Sequence, residues 1–206
     1  MNCCSLIGHL KDIRLDQKLL QADILHLQET SLASDFLDDG LKIDGYTSSF
    51  TKIGRGKGIG TYTKETINLH HLATIGRPNL QISKSSLIQG NGDAFNAVQI
   101  FNIYRSSDSK VEDLIDHLID LIEVNQTTLI TGDLNICKVK EPKNKVTTLL
   151  TRMGFKELID EATHIQGGHI DHTYWIDPDG RWQSPSVERY SPYYSDHDGL
   201  LITLKR

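Results

Sequence analysis

Three absences bound this chain before any motif is considered. Cysteine is scarce: Cys3, Cys4 and Cys137 are the whole complement of 206 residues. An odd count with two adjacent members makes a poor disulfide framework, and no Cys-x-x-Cys is present for zinc. The three are therefore expected to be reduced thiols of an intracellular protein. Long apolar runs are missing too, as is a signal-peptide pattern at the start, so no membrane partner is expected. Positive charge is not in excess: the formal net charge is -5. Bulk charge thus gives no support to nucleic-acid binding, and a polyanionic substrate has to be held by local cations or by metal. What remains is 38% hydrophobic and 24% charged, which fits one soluble globular domain with one substantial core.

The pattern alternates helices with strands. Residues 9 to 21 suggest a short helix, and residues 22 to 27 a strand running on into Gln28, Glu29 and Thr30. Residues 41 to 50 read as loop. The glycine-rich basic stretch from Lys52 to Gly60 lacks the Gly-Lys-Ser/Thr ending of a P-loop and reads as a basic hairpin leading into a strand from Ile59 to Lys64. A run of strands follows between residues 67 and 104, with Asn91-Gly92 as a hairpin turn. Ser109 to Glu123 carries one apolar stripe, Val111, Leu114, Ile115, Leu118, Ile119 and Ile122, and predicts the clearest helix. A second helix is predicted from Lys145 to Met153, ended by Gly154. Strands near Ile170, Val187 and Leu200 to Leu204 complete an α/β domain with much mixed or antiparallel sheet. His169 and His172 are three apart in a predicted strand. They should face opposite sides and not share an ion, whereas His169 and Asp171 should share a side.

The centre of the pattern is Thr131-Gly132-Asp133-Leu134-Asn135. An apolar strand precedes it, and Gly132 is expected to break that strand. In extended chain Asp133 and Asn135 would point the same way. A carboxylate and a carboxamide side by side suit a hard cation, a water or a phosphate oxygen. Further polar residues punctuate other predicted strand ends: Glu29, Tyr104, Asp171, and Asp196 with His197.

In order and setting these motifs resemble the endonuclease/exonuclease/phosphatase superfamily. The matching pieces are Leu27-Gln28-Glu29-Thr30, Asn102-Ile103-Tyr104-Arg105, Gly132-Asp133-Leu134-Asn135, Ile170-Asp171-His172 and Ser195-Asp196-His197-Asp198, with Asn2 in the place of the family's first-strand Asn. The wording around Asn2 and Glu29 looks most like the endonuclease domains of mobile elements, namely LINE-type retrotransposons and the helicase-fused nucleases of Helitron transposons. The resemblance implies a DNase I-like four-layer α/β sandwich: two packed mixed β-sheets flanked by helices. It implies Mg²⁺ (or Mn²⁺) as cofactor, DNA as partner, a nuclear location, and a larger polypeptide with reverse transcriptase or helicase. It further implies that Glu29, Asn2 and Asp196 serve the metal and that Asp133 activates the water. Asn135 would then hold the phosphate, Tyr104 donate to a phosphate oxygen, and His197, fixed by Asp171, stabilise the phosphorane.

Two departures stand out. Cys4 occupies a place where the family often has Asp, and Arg105-Ser106 replaces the usual Pro after the Tyr. The opening residues read as the tail of a truncated first strand, with residues 1–206 otherwise one domain. The local basic loops, 52 to 57 and 138 to 145, nominate Lys138 and Lys140, with Arg105, as substrate-binding residues. A phosphatase or phosphodiesterase acting on a smaller ester, and a non-catalytic binding domain, are the alternatives.

Overall fold

β-rich patterning has to close into sheets, and here it does so in two facing layers. The computed structural model describes residues 1–88 and 97–206; the expected Asn91-Gly92 turn lies outside the described residues. In chain order the elements are α1 (Leu6–Leu15), β1 (Ile24–Gln28), β2 (Tyr46–Thr51), β3 (Ile59–Lys64), β4 (Leu69–Arg77), β5 (Leu80–Ile88) and β6 (Ala97–Arg105). There follow α2 (Val111–Leu121), β7 (Thr128–Asp133), α3 (Lys145–Arg152), β8 (Lys156–Glu157), β9 (Asp171–Ile176), β10 (Ser186–Tyr190) and β11 (Gly199–Thr203). One sheet has the order β4-β5-β6-β7-β9-β8, with β6 and β7 parallel and the rest antiparallel. A second has the order β1-β3-β2, and β10-β11 form a further pair.

The burial pattern gives the layers. Helices α2 and α3 lay Leu114, Leu118, Val146 and Leu150 onto Ile82, Phe101, Ile103 and Ile130 of the six-stranded sheet. On the other side α1 buries Leu6, Leu10 and Ile13 with Leu25, Leu27 and Tyr62 of β1 and β3. Between the sheets, Leu87, Ile100 and Leu129 meet Ile24 and Ile202. Polar groups also cross this gap: Gln28 donates to Asn102 at 2.5 Å, and Asn102 donates to the Gly60 carbonyl at 3.2 Å. The result is helix on sheet on sheet on helix, the four-layer α/β arrangement. No helix among the described residues is long and apolar enough to cross a membrane.

Local expectations need four corrections. The loop expected over residues 41 to 50 contains β2, paired with β3. The single helix expected over 9 to 21 is α1 followed by a separate short turn of 3₁₀ helix, Leu19–Gln21. The α2 stripe is narrower than its sequence suggests, because Ile119 is 55% exposed. Gly132 does not break β7: it pairs within the sheet between Ile103 and His172. Its φ is +146°, and a Cβ there would lie 1.9 Å from the Ile103 carbonyl oxygen. The requirement for glycine is this close approach to the parallel neighbour.

Candidate active site

Sheet register assembles the first half of the site. Tyr104 of β6 is the partner of Asp133 of β7, and Asp133 is the partner of Asp171 of β9. Residues in one cross-strand row share a face of the sheet. The opposing layer brings Asn2, which forms a parallel bridge with Gln28 at the end of β1. Its Nδ2 donates to Asp133 Oδ2 at 3.1 Å and lies 3.5 Å from His197 Nε2. His197 sits just before β11, with Nδ1 2.9 Å from Asp171 Oδ2. Tyr104, Asp133, Asp171, His197 and Asn2 are all buried.

Glu29 follows β1 and faces Tyr104, whose hydroxyl lies 3.0 Å from Glu29 Oε1 and 3.1 Å from the Gly56 carbonyl. One hydroxyl hydrogen is thus shared between two acceptors. The chain after β7 does not stay extended. Asn135 donates its backbone N–H to Asp133 Oδ1 at 2.9 Å, and its side-chain amide donates to the Arg105 carbonyl at 2.8 Å. The carboxylate and carboxamide are brought together by a tight turn, not by strand alternation.

Backbone strain gathers here. Non-glycine residues in the left-handed region include Cys4 (φ 50°), Glu29 (φ 52°) and Asn135 (φ 49°). Such conformations are uncommon outside glycine and persist where the surroundings over-determine them. Cys4 is held by its N–H to Asn2 Oδ1 at 3.0 Å and by its thiol to Asp196 Oδ1 at 3.0 Å.

Charge balance sets the electrostatics. Burial, then the neighbouring Asp171, push the Asp133 carboxyl well above the usual carboxylate range, against the pull of His197. Burial works against the charged His197 imidazole, but the Asp171 hydrogen bond and charge outweigh it and raise the pKa. Burial and then Glu29 raise the Tyr104 phenol, keeping it a donor at neutral pH. Glu29, Asp133 and Asp196 offer carboxylate oxygens, the donor type a hard divalent cation prefers, whereas Asn2 Oδ1 already accepts the Cys4 N–H at 3.0 Å. Glu29 Oε1 is engaged by Tyr104, so Oε2 is the oxygen left for a cation. In donor type these carboxylates fit such an ion.

Not every candidate from sequence reaches the cleft. Arg105 requires correction as a substrate-binding residue: it is buried. Its guanidinium donates to the carbonyls of Leu134 at 2.7 Å, Asn135 at 2.9 Å and Ser109. It fixes the loop that carries Asn135. Lys138 is committed to Glu157 at 3.0 Å and Asp160 at 2.7 Å. Lys140 and Lys143 are exposed and take no ion pair among the described residues.

Several residues around the candidate site have no role in the sequence reading, Ser195 being quoted there only as part of a motif. Ser195 donates to the Asn2 carbonyl at 2.8 Å and accepts the His197 N–H at 3.0 Å. Thr163 Oγ1 accepts the Asp171 N–H at 3.1 Å. His164 stands edge-on to His197, its centroid 4.8 Å away and its Nε2 3.4 Å from Asp196. Serine in Ser195-Asp196-His197 is a familiar turn residue, and that signal was available. Thr163 and His164 lie on a loop brought in by a bridge between His164 and His197, which no local pattern announces.

Among solved structures, an AP endonuclease from Archaeoglobus fulgidus superposes with a TM-score of 0.66 at 18% identity, covering 98% of this chain and 96% of that one. The endonuclease domain of TRAS1, a telomere-specific non-LTR retrotransposon, gives a TM-score of 0.69 at 12% identity over 99% and 95% of the two chains. The 3′ phosphatase NExo from Neisseria, bound to product DNA hairpin, gives 0.64 at 17% identity over 100% and 97%. The fold is DNase I-like. No protein-family model matches the chain. No curated protein matches it either. At these identities the DNase I-like fold is what the likeness establishes, and activity has to be argued from the site.

Proposed function

We propose that this chain is a divalent-metal-dependent phosphodiesterase that nicks DNA, the endonuclease domain of a mobile element. The observation that carries this reading is the buried Asp171–His197 pair, 2.9 Å apart, beside an Asp133 held at 3.1 Å by Asn2. Cleaving a phosphodiester requires an activated water, neutralisation of the phosphorane and help for the leaving alkoxide. Asp133, with its raised proton affinity, is suited to orient a water and take its proton near neutral pH. Asp171 fixes the imidazole through Nδ1 and favours its charged form, so that Nε2–H serves the phosphorane oxygens.

Asn135 keeps one amide hydrogen on Arg105 and has a second for a phosphate oxygen. Tyr104 orients Glu29, and it donates to a phosphate oxygen only by releasing Glu29 or Gly56. A divalent cation, Mg²⁺ or Mn²⁺, bound by Glu29 and Asn2 with Asp196 in support, would supply neutralisation of a non-bridging phosphate oxygen.

DNA as the substrate is supported by the exposed Lys140 and Lys143 on the loop that follows Asn135, and by what the neighbours' names say of those proteins. The mobile-element setting rests on the motif wording and on the fold shared with the TRAS1 domain. Under this reading the chain acts in the nucleus as part of a polypeptide with reverse transcriptase or helicase. The test is relaxation of supercoiled plasmid to open circle in Mg²⁺ or Mn²⁺ and its suppression by EDTA. Folded protein that hydrolyses bis(4-nitrophenyl) phosphate without nicking plasmid would move the substrate to a smaller ester. Folded protein inert toward both would defeat the enzymatic reading.

A further inference from the structure

The reverse face of β9 carries a second histidine-carboxylate cluster that the proposed reaction does not use. His172 Nδ1 lies 2.9 Å from Glu157 Oε1, and His169 Nε2 lies 3.6 Å from the same oxygen. The two imidazoles stack with centroids 4.9 Å apart. This reverses the expectation that they face opposite sides. His169 precedes β9, so strand alternation does not govern it. Both rings are at least 98% buried, and His169 Nε2 has no hydrogen-bond partner among the described residues. A buried ring nitrogen without a hydrogen bond costs desolvation free energy, and the 3.6 Å approach to Glu157 is too long to supply that bond.

We propose that Glu157, His169 and His172 form a binding site for a borderline-soft divalent transition ion, with Zn²⁺ as the matching ion. The three ligand atoms lie within 4.8 Å of one another. Tetrahedral zinc with bonds of about 2.0–2.1 Å separates its ligand atoms by roughly 3.3 Å. The observed 2.9 and 3.6 Å bracket that value. His172 Nε2 lies 2.8 Å from the Ile136 carbonyl. Donation there keeps a proton on Nε2, as the outer partner of a metal-bound histidine usually does, and the ion would displace the proton that Nδ1 shares with Glu157 to reach the Nδ1 lone pair.

Glu157 can use Oε1 for the ion while Oε2 keeps Lys138 at 3.0 Å, so that contact survives binding. Tyr174 Oη is 3.2 Å from His172 Nδ1 and would move off to its other neighbour, Thr147 at 2.8 Å. Two imidazoles and one carboxylate select zinc over magnesium. The ion would join β8, β9 and the residue that follows Asn135, and would lock the loop under the cleft from behind.

The experiment uses the whole chain, stripped with EDTA and exchanged into millimolar Mg²⁺ so that hard-cation sites are occupied. Titration with Zn²⁺ should then show one equivalent bound. Zn²⁺ at about 100 times its dissociation constant should raise the melting temperature by roughly 5–10 °C. His169→Ala and Glu157→Gln should weaken binding by about 100-fold or more, while His197→Ala keeps the equivalent. His169→Gln serves if the alanine variant fails to fold. Co²⁺ titrated into the unmodified protein reads the geometry independently, through the strong visible absorption of a tetrahedral site. Absence of that band, or Zn²⁺ affinity unchanged in folded His169 variants, would overturn the site and leave a hydrogen-bonded polar cluster.

Discussion

Two histidine-carboxylate pairs stand back to back on one strand. His197–Asp171 and His172–Glu157 both span 2.9 Å, both rings are buried, and Asp171 and His172 are consecutive residues of β9. The difference lies at the second ring nitrogen. For His172 it meets the Ile136 carbonyl, a permanent backbone acceptor. For His197 it faces the amide of Asn2, in the cleft where Asp133 is held. A carboxylate at one nitrogen fixes a histidine in either setting. The proposed reaction needs the second nitrogen, and at His197 that nitrogen has no contact tighter than the Asn2 amide at 3.5 Å. Pair geometry alone would nominate both; their surroundings separate them.

The sharpest way to break this comparison is to remove each ring. His197→Ala should lower nicking turnover by on the order of 10²–10⁴. His172→Gln should fall mainly on stability, about 1–3 kcal/mol, since it disturbs a buried hydrogen-bonded group. Its effect on turnover should be far smaller. Plasmid nicking rates and urea midpoints, measured on both variants, check this. Equal losses of turnover would mean that the two pairs do not differ as described. Asp171→Asn should also slow nicking, and combining it with His197→Ala should be far from additive, because the two act as one unit.

Next in size is Glu29, which has no counterpart behind β9. Glu29→Gln keeps an acceptor for the Tyr104 hydroxyl but presents a neutral amide to the cation. A loss of roughly 10² in nicking is expected, partly recovered at higher metal concentration. A folded variant that nicks at the parent rate would remove Glu29 from the metal.

A third prediction uses pH. The His197 pKa is raised in the folded protein by Asp171, against burial. A raised folded value means that the pair's stabilisation is fully present below the unfolded value of about 6.5. It is lost as pH rises through the folded value. Above the carboxylate range, the melting-temperature difference between the parent and Asp171→Asn should therefore be larger near pH 6 than near pH 10. A difference that does not change with pH would argue against a charged His197.

Legibility in the sequence followed the range of the interactions. Strands with strong apolar patterns, α2 and α3 were placed within a few residues because their periodicity is local. β2 reads as loop because its six residues, Tyr46–Thr51, include no aliphatic side chain; pairing with β3 and packing of Tyr46 and Phe50 on the α1 core define it. Candidate site residues that end strands are readable as polar punctuation. Glu157 was not, because it belongs to a two-residue strand and meets His169 and His172 only after β8 pairs with β9. Arg105 misled because charge on a strand end suggests solvent, whereas three backbone carbonyls already satisfy it. Partners of that kind are tertiary and leave no periodic trace.

The smallest expected effect concerns the lysines beside the two pairs. Lys138 is drawn to the reverse-face cluster by Glu157 and Asp160, and Lys145 is paired with Glu112. Lys140 and Lys143 lie on the same loop, exposed and without an ion pair among the described residues. Phosphate contact releases condensed counterions, so each contact contributes about 0.9 to the slope of log affinity against log salt on duplex DNA. Replacing Lys140 and Lys143 by Gln should therefore flatten that slope by up to about two units. Replacing Lys138 alone should leave it nearly unchanged, because its charge is already neutralised by its two carboxylates. Fluorescence anisotropy on a labelled duplex between 50 and 200 mM salt, in Ca²⁺ to hold back cleavage, measures both slopes. If the Lys138 variant flattens the slope as much as the double variant, DNA draws Lys138 away from Glu157. The reverse face would then be coupled to substrate, and the separation between the two pairs would not hold.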